Sequence, residues 1–119
     1  MRWTRKRLKA ECFRVLRSPE LRLRLGTLND CRARLVERNG TAKVTVDPHQ
    51  SSLIQGAVHE CLHVILDPQL GQVFSTKEPI PSAWEAVMDT LEVLISEEIL
   101  STAAETDRWR KAIDAKLKA

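Results

Sequence analysis

Apolar positions recur along this chain with a period that changes from helical to strand-like and back. Between Thr4 and Leu16, residues Leu8, Cys12, Val15 and Leu16 fall on one face of a 3.6-residue period with Thr4 placed to cap, which predicts an N-terminal helix. Ser18-Pro19-Glu20 reads as a second helix start, a capping residue followed by Pro at the first helical position. The next residues, Leu21-Arg22-Leu23-Arg24-Leu25, alternate as a strand would, and Gly26 stops either element; the start signal tips the reading to a short helix. Arg34–Arg38 and Thr41–Val46 flank Asn39-Gly40, the dipeptide that tolerates the positive φ angles of a type I′ turn, so they predict a β-hairpin ended by Asp47-Pro48.

The helical period returns from Ser51 or Ser52 to Leu66, with Ile54, Val58, Leu62 and Ile65 on one face and Asp67-Pro68 as the stop. Residues 69–81, with Gly71, Pro79 and Pro81, read as a loop long enough to flank a site. Ser82 to Leu100 predicts a further helix with Trp84, Val87, Met88, Leu91, Ile95 and Ile99 on its apolar stripe. A C-terminal helix from about 103 to 117 carries Trp109, Ile113 and Leu117 at helical spacing. The fold class expected is α+β: an N-terminal helix, a β-hairpin or small antiparallel sheet, and three more helices, in one domain over 1–119.

Two histidines of the chain's three stand in the first of those later helices, as His59-Glu60-Cys61-Leu62-His63. Residues i and i+4 of a helix lie one above the other, so this H-E-x-x-H motif presents both imidazoles from one side, where they can bind one Zn²⁺. Glu60 sits about 100° round the helix and can reach a metal-bound water without ligating the metal, the arrangement of metal-assisted amide hydrolysis. Cys61 points away from the pair and reads as a small core residue. Gly56 lies on the metal side, where a missing side chain leaves space for metal or substrate.

A zinc site needs a third protein ligand. On the next helix Glu85, Asp89 and Glu92 stand at i, i+4 and i+7 along the edge of the apolar stripe. Ser82-x-x-Glu85 is also a capping box, which by itself accounts for a Glu at that place. Glu92 is the alternative third ligand.

H-E-x-x-H followed by E-x-x-x-D on the next helix resembles the gluzincin zinc metallopeptidases, the thermolysin-like branch, on His59, Glu60, His63, Glu85 and Asp89. The short chain is also similar to compact bacterial and phage-encoded metallopeptidase domains. The likeness covers roughly residues 31 to 100, and its specific part is H-E-x-x-H. It implies a small zincin-like fold with zinc held by His59, His63 and Glu85. Glu60 would be the general base, and Asp89 would accept the N–H of a ligand histidine. It implies a peptide or protein substrate, and in such a fold one strand of the small sheet is expected to be an open edge that a peptide joins. The chain departs from the family in having no tyrosine for the developing oxyanion. His49 is the remaining histidine, available for an oxyanion or substrate contact or simply a surface loop residue. Arg108, Arg110 and Lys77 are other sources of positive charge. The departure leaves open a second function: a catalytically weak or inactive zinc-fold module that binds or regulates, in a phage or bacterial setting.

Charge is divided along the chain. Residues 1–43 hold 13 Lys/Arg against 4 Asp/Glu, and the remainder 6 against 12. The basic half invites a nucleic-acid partner, but no recognition motif or aromatic stacking platform accompanies it, so nucleic acid is not the partner expected. No apolar run is long enough to span a membrane, and the basic start is not followed by the apolar core of a secretory signal. Cys12, Cys31 and Cys61 are odd in number and widely spaced, which argues against a disulfide framework and for a reducing, cytoplasmic setting.

Overall fold

The computed structural model describes residues 3–29, 31, 33–73 and 82–119. Helix α1 (Arg5–Arg17) leads into strand β1 (Leu21–Leu25), the hairpin β2 (Ala33–Arg38) and β3 (Thr41–Val46), and helices α2 (Leu53–Val73), α3 (Ser82–Leu100) and α4 (Ala103–Lys118). The fold is α+β, and its sheet is mixed, in the order β1-β3-β2. β2 and β3 pair antiparallel around Asn39 (φ 51°) and Gly40 (φ 77°), two residue types that tolerate the positive φ this turn needs. β1 pairs parallel to β3 with Leu23 opposite Val44.

That parallel strand corrects the short helix expected after Ser18-Pro19. Ser18 instead closes α1, its amide donating to the Val15 carbonyl. The alternation of Leu21-Arg22-Leu23-Arg24 then decides the conformation, because Leu21 and Leu23 reach the core while both arginines stay in water.

α2 is the hub, packed against α1, α3, α4, β2 and β3. Its apolar side (Ile54, Val58, Cys61, Leu62, Leu66) is buried with Leu8, Cys12 and Leu16 of α1. Trp109 of α4 is fully buried and meets Phe13 edge to face at 5.1 Å. Gly56 is where α2 touches the sheet: it lines the same side as His59, and a Cβ there would stand 2.7 Å from Val46 Cγ1, so its missing side chain makes room for β3.

Two more expectations change. Asp67-Pro68 does not end α2, which continues to Val73. A residue before Pro disfavours the helical region, but Asp67 is held there by contacts with His63 one turn back and with Trp84. Gln69–Val73 are therefore helical, and the rest of the expected loop, 74–81 with Lys77, lies outside the described residues. On α3 the buried stripe is Met88, Glu92, Ile95 and Ile99, with Ser96 beside it, whereas Val87 is 45% exposed. No helix among the described residues is long and apolar enough to cross a membrane.

Candidate metal centre

The side of α2 that turns from the core carries His59, Glu60, His63 and Asp67, and α3 crosses in front of it with Glu85, Asp89 and Glu92. Together with Ala33, Arg34 and Leu35 of β2 they line an open cleft of about 640 Å³. β2 is an edge strand, so its outer backbone groups border that opening.

Three donor atoms converge at the cleft floor. His59 Nε2 and His63 Nε2 are 3.2 Å apart, and each lies 2.9 Å from Glu85 Oε1. Behind this triangle each imidazole meets a carboxylate. His63 Nδ1 lies 2.9 and 3.0 Å from the two oxygens of Asp67, and Asp67 Oδ1 also accepts the Trp84 indole N–H at 3.2 Å. His59 Nδ1 lies 3.1 Å from Glu92 Oε1 and 3.5 Å from Asp89 Oδ1, off the straight line of a full hydrogen bond.

The donor set of His59, His63 and Glu85 suits a metal ion. A carboxylate only accepts, so each flanking acid selects the tautomer with hydrogen on Nδ1 and leaves the lone pair on Nε2. With Nε2 unprotonated, two lone pairs and a carboxylate oxygen face one another and suit a cation, which would replace the proton that His63 otherwise holds. Tetrahedral zinc with bonds of about 2.0–2.1 Å sets its ligands about 3.3 Å apart, close to the spacings present here. The open cleft leaves the fourth position to water or substrate. A second trio, His59 Nδ1 with Asp89 and Glu92, is also within reach of one ion, but using it would strip the hydrogen that orients His59 for the first.

Burial shapes the protonation of the cluster. It opposes charge on His63, yet Asp67 and Glu85 beside it hold the pKa up at about 9. For His59 burial likewise opposes charge, and the carboxylates of Glu92 and Glu60 more than offset it. Glu60 is 4% exposed, and burial pushes its carboxyl above the usual range against the pull of the two imidazoles.

The structure thus brings together His59, Glu60, His63, Glu85, Asp89 and Glu92, with Glu85 on the Nε2 side and Glu92 behind His59. The Ser82 side chain, on which the capping-box reading of Glu85 depends, lies outside the described residues. His49 does not join the group: it is exposed in the turn after β3, its amide donating to Asp47, and it is not among the cleft-lining residues. Arg108 stacks on Phe13 at 4.0 Å and, like Arg110, is not among them either. Sequence reasoning missed Asp67, masked as a helix stop, and Arg34, the one Lys or Arg among the described cleft-lining residues. The signal for Asp67 was its place one turn beyond His63.

Against known proteins, the chain matches no family model, no curated protein and no solved structure.

Proposed function

We propose that this chain is a zinc-dependent hydrolase, a gluzincin-like peptidase in which His59, His63 and Glu85 hold the metal and Glu60 is the general base. The observation that carries the reading is the triangle of His59 Nε2, His63 Nε2 and Glu85 Oε1, backed by a carboxylate behind each histidine. Zinc supplies there a Lewis acid that polarises a carbonyl and brings the pKa of water down to about 7.

The chain's own residues supply the rest. Glu60 takes a proton from the attacking water as the water oxygen bonds to the scissile carbonyl carbon. It returns that proton to the leaving amine as the C–N bond breaks. The raised proton affinity of Glu60 suits a group that must hold the proton between those steps. Asp67 fixes the His63 tautomer by hydrogen bonding, and the Glu92 and Asp89 carboxylates, 3.1 and 3.5 Å from His59 Nδ1, favour hydrogen there by charge. The edge of β2 favours a peptide as substrate, since an extended segment can add to it by main-chain hydrogen bonds.

The test is cleavage of a mixed library of unstructured peptides by protein loaded with one equivalent of zinc, read by mass spectrometry. Cleavage that stops with chelator and returns with zinc is the expected result. Zinc-loaded protein that cuts no peptide would overturn the peptidase reading in favour of a zinc-fold binding module.

A further inference from the structure

Strand register gathers basic residues of the first half of the chain onto one surface. Arg22 pairs with Lys43 and Arg24 with Thr45 across β1–β3; Arg34 pairs with Thr45, Val36 with Lys43 and Arg38 with Thr41 across β2–β3. Paired residues point to the same side of a sheet. Arg22, Arg24, Lys43, Arg34 and Arg38 therefore share the face opposite to the buried Leu23, Val44 and Val46, and all five are exposed. No Asp or Glu occupies that face within the strands; Glu37 pairs with Ala42 and belongs to the other side.

β1, β3 and the end of α4 also enclose a hollow of about 430 Å³, lined by Leu21, Leu23 and Ala119 as well as Arg22, Arg24, Lys43 and Lys116, with no Asp or Glu side chain; Lys116 Nζ also donates to the Ser18 and Leu21 carbonyls. Burial and the neighbouring Arg22 both hold the Lys116 ammonium below its ordinary pKa, as crowded positive charge does. Like charges directly opposite one another, as Arg22 and Lys43 are, destabilise a sheet. The peptidase reading makes no use of this hollow.

We propose that this sheet face binds the phosphodiester backbone of a nucleic acid, with phosphate seated in the hollow between Arg22, Arg24, Lys43 and Lys116. Alternate residues of a strand stand about 6.6 Å apart and neighbouring strands about 4.8 Å, so the cations form an array that suits successive phosphates better than one isolated anion. No aromatic side chain lies on the face, so the binding is to backbone and independent of base sequence. A membrane surface or a protein partner would call for apolar anchors, and Val36 is the one large exposed apolar residue there among the described residues.

The probe is a fluorescent DNA duplex of about 20 base pairs, followed by anisotropy from about 50 to 200 mM salt. The expected result is binding that weakens steeply with salt, with a log–log slope of about −0.9 for each phosphate contacted. The triple variant Arg22→Gln/Arg24→Gln/Lys43→Gln should bind about thirtyfold more weakly, with a slope shallower by about 2.7. The same charge change at Lys6, Arg110 and Lys111, exposed residues of α1 and α4, should shift affinity by less than about twofold. Should the triple variant fold poorly by circular dichroism, Lys43→Gln alone should cost about threefold. No binding by the unmodified protein at about 50 mM salt would overturn the proposal. So would equal losses in the two triple variants, or capture by phosphatidylserine vesicles without binding to the duplex.

Discussion

The cleft and the outer face of the sheet are both dense in charge, yet they are built in opposite ways. The cleft draws its acids from two helices and holds Glu60 and Glu92 at 4% and 2% exposure, so its geometry depends on tertiary packing. The sheet face takes its cations from simple strand alternation and leaves them in water. A buried charge persists only with partners, whereas an exposed one costs little. Substitutions in the cleft should therefore have large, role-specific effects, and substitutions on the face small ones that add.

The largest effect that would sharpen this contrast is at Glu60. Glu60→Gln should keep its zinc and lose peptide hydrolysis by about 10²–10⁴-fold, measured as kcat/KM on any peptide the library yields. Undiminished turnover would remove Glu60 as the base.

Next come the carboxylates behind the histidines. Glu92→Gln and Asp67→Asn should each weaken zinc binding by roughly 10–100-fold in competition with a chromophoric chelator. Asp89→Asn, at the longer distance of 3.5 Å from His59, should change it far less. Equal losses at all three positions would mean that bulk negative charge, not orientation, holds the site.

A smaller effect is expected at the seam between the two regions. Gly56→Ala gains about 1 kcal/mol of helix propensity, but its methyl collides with a buried, β-branched Val46 at a cost of about 1–3 kcal/mol. Chemical denaturation should show a net loss of roughly 1 kcal/mol. A more stable variant would show that α2 and β3 can part without strain.

The smallest effect is pH-linked. Asp47, at the end of β3, accepts the amides of Leu28 and His49 and the Gln50 side chain, and the two amides foremost hold its pKa below the ordinary 3.8. Its stabilisation is fully present above that ordinary value and is lost as pH falls through the lower, folded one. Asp47→Asn should lower the melting temperature at neutral pH, and the gap to the unmodified protein should close on acidification.

The same contrast explains what could be read from the sequence. Local rules sufficed for α1 with its Thr4 cap, for the Asn39-Gly40 hairpin and for α4, because each is decided by neighbours along the chain. They also reached His59, Glu60 and His63, which a single helix presents together. They failed where a distant segment decides. Leu21–Leu25 became a strand because β3 offered it an edge, and α2 passed Pro68 because His63 and Trp84 hold Asp67. Glu92 is a particular case. Its spacing from Glu85 and Asp89 placed it along the edge of the apolar stripe, and only the packing of α3 on α2 buries it behind His59.

Zinc content of tagless protein purified without chelator, by elemental mass spectrometry, tests the central claim most directly. The account predicts about one zinc per chain, reduced to a small fraction in His63→Ala and retained in Glu60→Gln. Folded protein that carries no zinc and takes up none at micromolar concentration would contradict it.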